Sequence, residues 1–204
     1  MRRAFVFVAV ISSLIARAAA QESHSEIAVE GTGFFTKGTT GTSGNSYSAV
    51  QTGGFLIAYR HHLHRGLSLE GAYGFDRNTQ RFNDTSQQWR IPTNNSEFTG
   101  ALVQALPSFG KARFSPYILL GGGAVTLNPM GGQSNTITLS GAQTQTKAAF
   151  LYGGGLNYAI MRRVSLRFEY RGMVYSAPSF GFSAFDTNSA THSAQPSVGL
   201  AFRF

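Results

Sequence analysis

Val164-Ser165-Leu166-Arg167-Phe168-Glu169-Tyr170-Arg171 alternates apolar and polar side chains without a break. Val164, Leu166, Phe168 and Tyr170 share one face, and Ser165, Arg167, Glu169 and Arg171 share the other, which is the period-two signature of a β-strand. The same count sets Val198, Leu200, Phe202 and Phe204 against Ser197, Gly199, Ala201 and Arg203. It sets Leu67, Leu69, Tyr73 and Phe75 against Ser68, Glu70, Ala72, Gly74 and Asp76. Phe55, Ile57 and Tyr59 likewise oppose Leu56, Ala58 and Arg60, and Phe150, Tyr152, Leu156 and Tyr158 oppose Gly153, Gly155 and Asn157. Three weaker stretches complete the set. Residues 26–35 turn Ile27 and Val29 away from Ala28 and Glu30, 98–106 are apolar on both parities, and 116–127 are apolar and glycine-rich. No segment keeps a 3.6-residue period over three turns. The reading is all-β, with eight strands.

The connections alternate in length. Short ones fall at 61–66, 107–113 and 161–163; long polar ones fall at 37–45, 77–96, 128–147 and 177–195. Short turns at one end and long loops at the other describe an up-and-down membrane barrel. A soluble sandwich mixes its connection lengths through Greek-key crossings.

The 204 residues carry a formal charge of +8, no cysteine, 24 glycines, 17 Phe, 8 Tyr and 1 Trp. One domain is the expectation at this length. The 13% charged content is half that of an ordinary soluble domain, and the aromatics argue against disorder. Without cysteine there is no disulfide framework, thiolate metal site or Cys nucleophile. At the start, Arg2-Arg3, an apolar run over 4–16 and small residues at Ala18 and Ala20 read as a secretory signal peptide over 1–20. That run is too short to span a bilayer as a helix. Cleavage after Ala20 would leave a mature barrel domain of 21–204, with 14 basic against 9 acidic side chains. Much of the basicity is then targeting signal. What remains is dispersed, with no stripe or groove for nucleic acid.

An eight-stranded barrel is just wide enough for side chains to fill it. Bulky rows such as Val164, Leu166, Phe168 and Tyr170 would crowd that lumen, whereas Gly, Ala, Ser and a few charges fit, so lipid belongs outside. Closure follows, because only a closed sheet satisfies every backbone N–H and C=O in hydrocarbon. Tyr59, Tyr73, Tyr158, Tyr170 and Phe204 fall near strand ends, where aromatic girdles sit. The same parity places Glu30, Arg60, Glu70, Arg167, Glu169, Arg171 and Arg203 inside, four positive against three negative. Unpaired buried charge is expensive, so these should pair into a salt-bridged plug, with Arg60 and Arg203 close enough to strand ends to reach water.

The signal peptide, the alternating stretches and the terminal Val198-Gly199-Leu200-Ala201-Phe202-Arg203-Phe204 together resemble the small bacterial outer-membrane β-barrel domains of the OmpA/OmpX-like kind. The resemblance covers essentially all of 26–204. It implies an eight-stranded antiparallel transmembrane barrel in the outer membrane, both termini periplasmic and four loops outside the cell. It implies that Leu200, Phe202 and Phe204 form the signal read by the barrel-assembly machinery. Outer-membrane lipid, lipopolysaccharide and an extracellular ligand or surface become the expected partners. Functions in such families run from structural or surface-interaction roles to narrow porins and lipid-modifying enzymes.

The chemistry-bearing residues favour the first. His192 and Ser193 are adjacent, with Asp186 the nearest acid in sequence, and a catalytic triad needs nucleophile, base and orienter within hydrogen-bond reach. His61, His62 and His64 cluster beside Arg60 and Arg65, but neighbours on a strand point to opposite faces, so at most two imidazoles converge. Lys111, Arg113, Arg162 and Arg163 make the other short turns basic. The triplets Gly121-Gly122-Gly123 and Gly153-Gly154-Gly155 lack the Lys-Ser/Thr and the following helix of a phosphate loop. No catalytic residue, cofactor site or metal site is expected. A soluble barrel holding a ligand among its aromatic faces is the remaining alternative.

Overall fold

The computed structural model describes residues 24–41, 44–64, 66–83, 87–107, 113–130, 132–134, 138–139 and 141–204. The leader expected over 1–20 and the mature start at Gln21 lie outside them, as do Arg65 and Lys111. Eight long strands carry the fold: β1 (Ser25–Thr36), β2 (Thr52–His64), β3 (Leu67–Asn83), β4 (Gln88–Ala105), β5 (Phe114–Pro129), β6 (Gln145–Ala159), β7 (Val164–Ser176) and β8 (Ala190–Arg203). Each pairs antiparallel with its sequence neighbours. β8 then returns to β1, with Glu26 opposite Arg203, Val29 opposite Leu200 and Thr32 opposite Ser197. The ring therefore has no open edge. Ser25 and Phe204 pair through their backbones at the end where β2 and β6 finish.

The long connections differ from the sequence reading. Within 77–96 the chain stays in a ladder, from Arg77 opposite Asn94 to Asn83 opposite Gln88. A strand crosses a bilayer in about 9–11 residues, so the 17 of β3 and 18 of β4 carry this hairpin well beyond it. Out there the outer face no longer meets lipid, apolar alternation is not required, and the strand signal disappears. The other loops shorten for the same reason. β8 begins at Ala190 rather than after Gln195, and β6 begins at Gln145 within the stretch read as 128–147. Between β1 and β2, Thr39–Thr40 pairs with Ser46–Ala49, which is itself added to β3 with Tyr47 opposite Phe82.

Ile27, Val29, Phe55, Ile57, Leu69, Phe98, Leu102, Ile118, Leu120, Phe150, Phe168, Val198 and Leu200 are exposed around the outside. The strands with apolar residues on both parities line the apolar side of the interior. Ala101, Val103, Tyr117, Leu119, Val125, Leu127, Ala149 and Leu151 are buried and pack together, while the alternate residues Phe98, Leu102, Ile118 and Leu120 face out. The lumen is thus packed rather than merely polar, as a barrel of this width demands. Glycine makes room where strands and side chains crowd. A Cβ on Gly121 would run into the Gly100 carbonyl oxygen of β4, and one on Gly155 would strike the Tyr117 phenol lying over it.

Candidate functional site

Near the end that carries the termini, three guanidinium groups and four carboxylates share the lumen. Arg60 on β2 donates to Glu70 Oε2 on β3 from Nε and Nη2, at 2.9 and 2.7 Å. The same Nη2 lies 3.5 Å from Glu169 Oε2 on β7. Arg167 on β7 donates through Nη2 to Glu26 on β1, and its Nη1 lies 3.5 Å from Glu30 Oε1 and 3.4 Å from Glu70 Oε2. Arg171 donates to Thr99 Oγ1 at 2.5 Å, with Nη1 3.7 Å from Glu169 Oε1. Neutral donors finish the set. The Tyr117 hydroxyl donates to Glu169 at 2.5 Å, Ser197 donates to Glu30 at 2.5 Å, and the Tyr117 ring lies 4.3 Å beneath the Arg60 guanidinium carbon. The cluster ties β1, β2, β3, β4, β5, β7 and β8 to one another across the interior. Ions desolvated this deeply are tolerated because they are multiply paired.

Of the two residues expected to reach water, one does not and one does. Arg60 is only 3% exposed, so it does not reach water, because the adjoining Glu70 and Glu169 draw it inward. Arg203 remains at the rim with its side chain 43% exposed, reaching Glu26 Oε2 at 3.5 Å. Glu26 was absent from the expected set, although its parity with Ala28 and Glu30 was the signal that places it inside. The enclosed balance is therefore Arg60, Arg167 and Arg171 against Glu26, Glu30, Glu70 and Glu169, not four positive against three negative. Asp76 and Glu97 are also buried, higher up.

Above the ions the inward side chains are mostly uncharged. Asn95 Nδ2 donates to Asp76 Oδ2 at 2.9 Å, Gln195 Nε2 to Glu97 Oε2 at 2.8 Å, and Gln80 Nε2 to Thr93 at 3.1 Å. A cavity of about 20 Å³ lies among Asp76, Asn78, Asn95, Glu97, Tyr175 and Gln195, room for about one water. Beyond it the connection between β7 and β8 folds over the mouth. Phe180 and Phe185 are buried there, Phe185 stacking on Phe82 of β3 at 4.5 Å and Phe180 meeting the same ring edge-on at 5.9 Å. Trp89 of β4 and Phe182 pack against Phe185. Asn45 donates to the carbonyls of Ala184 and Asp186, fastening the first long loop to the last. Burial pushes the Tyr47 phenol well above its usual value, so it stays a neutral donor to Gln80 at 2.7 Å. The sequence reading missed this lid. Its signal was three phenylalanines, 180, 182 and 185, in a stretch taken as a polar loop.

The other candidates lie apart. His192 and Ser193 fall inside β8, so they face opposite sides of the sheet. His192 meets the Tyr152 hydroxyl at 2.9 Å, Ser193 is buried in the lumen, and Asp186 caps the backbone N–H of Asn188 in the loop. At the other end His61 Nδ1 is 3.3 Å from Ser25 Oγ and His62 Nδ1 is 2.8 Å from Ser68 Oγ, with an irregularity in the ladder before His64. Among the described residues no group of three or more His, Asp or Glu is arranged to hold a metal ion. Leu200 is exposed on the outer face of β8, where Phe202 and Phe204 stack at 6.2 Å.

A closed sheet, greasy outside and filled with paired charge inside, is a transmembrane β-barrel. The chain belongs to the outer membrane protein beta-barrel domain family, whose family model matches residues 6–204. Its place is accordingly the outer membrane. Among solved structures it is similar to the outer membrane protein OprG of Pseudomonas aeruginosa, with 11% identity, a TM-score of 0.60, and 90% of this chain and 97% of that one covered. It is similar to Neisserial surface protein A, with 14% identity, a TM-score of 0.52 and coverage of 87% and 97%. It is also similar to Ail, the attachment invasion locus protein of Yersinia pestis, with 14% identity, a TM-score of 0.50 and coverage of 90% and 100%. Comparison with curated proteins finds no match. These likenesses concern the fold.

Proposed function

We propose that the protein is a closed, non-enzymatic barrel with a structural or surface-interaction role, carried by the four loop regions at the end away from the termini. The observation behind this reading is the filled lumen. The ion cluster, a layer of mostly uncharged polar side chains beside an apolar wall, and the aromatic lid follow one another along the axis, with a cavity of about water size in the middle layer. A barrel built this way holds its shape in lipid and presents the β3–β4 hairpin and the Phe180–Phe185 lid to the surroundings. Glu30, Arg60, Glu70, Arg167, Glu169, Arg171 and Arg203, joined by Glu26, serve as its plug. Residues 1–20 act as a signal peptide and 21–204 as the mature domain. Leu200, Phe202 and Phe204 serve as the recognition signal for the barrel-assembly machinery. Outer-membrane lipid and lipopolysaccharide surround the greasy band.

Planar-bilayer recording of the refolded chain tests the reading. A silent membrane is the expected result. Steady single-channel steps would replace it with the narrow porin, and altered lipid A mass spectra on overexpression would replace it with a lipid-modifying enzyme.

A further inference from the structure

Asp76 and Glu97 lie above the ion cluster, Glu97 still within the field of Arg171. Both are inward and buried, Asp76 at 5% and Glu97 at 4% exposure, yet among the described residues neither lies within ion-pair distance of a guanidinium or ammonium. Counting Arg203, the four arginines of the lumen are already matched by Glu26, Glu30, Glu70 and Glu169. The two carboxylates are thus surplus negative charge in a low-dielectric interior, a costly arrangement unless something positive joins them.

We infer that the mid-lumen cavity beneath the lid is a binding site for a hard divalent cation of the calcium type, held by the carboxylates of Asp76 and Glu97 and the amide oxygen of Asn95. Beyond the carboxylates, the cavity wall itself points to a ligand. Asn95 is 7% exposed; its Nδ2 donates to Asp76, and its Oδ1 has no hydrogen-bond partner. Glu97 Oε1 is likewise without a partner, while Oε2 accepts from Gln195. Both residues line the same cavity, together with Asn78, Gln80 and Ser96.

One water can bridge the two acceptors lacking a donor, but it brings no charge to offset the two carboxylates, and one proton serves only one acceptor; a cation serves both acceptors and the charge. The lining offers oxygen without thiolate or imidazole, the donor set of calcium rather than zinc or copper. With only two carboxylates the affinity should be modest, in the range of extracellular calcium modules. The backbone keeps the place for Glu97. Gly74 lies opposite it, and a Cβ there would come within 2.6 Å of Glu97 Cγ and Oε1.

Calcium titration of the refolded full chain in phosphate-free zwitterionic micelles, followed by calorimetry, tests this. The expected result is a single equivalent bound, with a dissociation constant of roughly 10⁻⁴–10⁻³ M. Asp76→Asn and Glu97→Gln should each weaken it by about tenfold or more. Each variant is first checked for the mobility shift between unheated and boiled samples, so that loss of folding is separated from loss of the site. Gly74→Ala, which keeps every charge but displaces the Glu97 carboxylate, should weaken binding as well. Undiminished uptake by the Asp76→Asn/Glu97→Gln double variant would place the ion elsewhere and overturn the inference. So would no uptake by the wild-type protein at millimolar calcium, which would leave water and protons as the occupants. Neither result bears on whether the barrel conducts.

Discussion

Arg167 shows how much a single side chain holds. It reaches Glu26 and Glu30 on β1, Glu70 on β3 and Asn157 on β6 from its own place on β7. Replacing it by leucine removes one charge and leaves Glu30 without an arginine, while Glu70 keeps Arg60 and Glu26 keeps Arg203; breaking a buried ion pair from one side costs about 3–5 kcal/mol. Arg167→Leu should therefore lower the urea midpoint of barrel unfolding in lipid bilayers. Arg203→Leu, half in water, should barely move it. Parity alone placed Arg167, Glu169 and Arg171 in the lumen, because a period of two leaves no choice once one face is known. It could not say how far a long side chain bends from its Cα. Arg60, close to a turn in sequence, folds inward to Glu70, whereas Arg203 stays at the rim.

At the scale of the element, the sequence displayed strands only where lipid enforces alternation. Leu67 to Phe75 announced β3, but nothing announced its continuation through Asn78, Gln80 and Phe82, where the outer face carries Arg77 and Arg81 in water. The tertiary signal there is polar pairing, such as Gln80 with Thr93 and Asn95 with Asp76. That hairpin can be checked with trypsin. A flexible polar loop would be cut after Arg77, Arg81 and Arg90, whereas the paired ladder should leave these bonds intact in the folded barrel and expose them after boiling. Survival for as long as the membrane-embedded strands is expected; rapid nicking at Arg81 would return the segment to a loop. The lid was illegible for a different reason. Its aromatics find their partners on β3 and β4, distant in sequence, and local pattern carries no trace of such contacts.

For the whole molecule, the proposed closed barrel makes lid and ion cluster two barriers in series. Phe180→Ser with Phe185→Ser should loosen the mouth yet leave a planar bilayer silent, since the arginines and glutamates still fill the opposite end. Adding Arg167→Ser to that pair should produce measurable conductance. Current from the lid variant alone would show that the cluster is no barrier. The intact protein should also migrate differently on a denaturing gel before and after boiling, because a closed sheet resists detergent until heat opens it. Partition into a soluble periplasmic fraction with no mobility shift would reverse the assignment of inside and outside.

The pairing of β1 with β8 also fixes the order of events in the protein's making. Glu26 meets Arg203 and Thr32 meets Ser197 only when the last strand is in place. Ser197 on Glu30, Gln195 on Glu97 and the backbone link from Ser25 to Phe204 all wait for the same moment. Until then the sheet has two raw edges and the lumen charges stand half-matched. Seven strands are not seven-eighths of the protein; they are an open sheet that cannot stay in hydrocarbon. Non-local closure of this kind is slow in folding. A chain cut before Ala190 would lack the strand that pairs with both β1 and β7, and would be left as an open sheet.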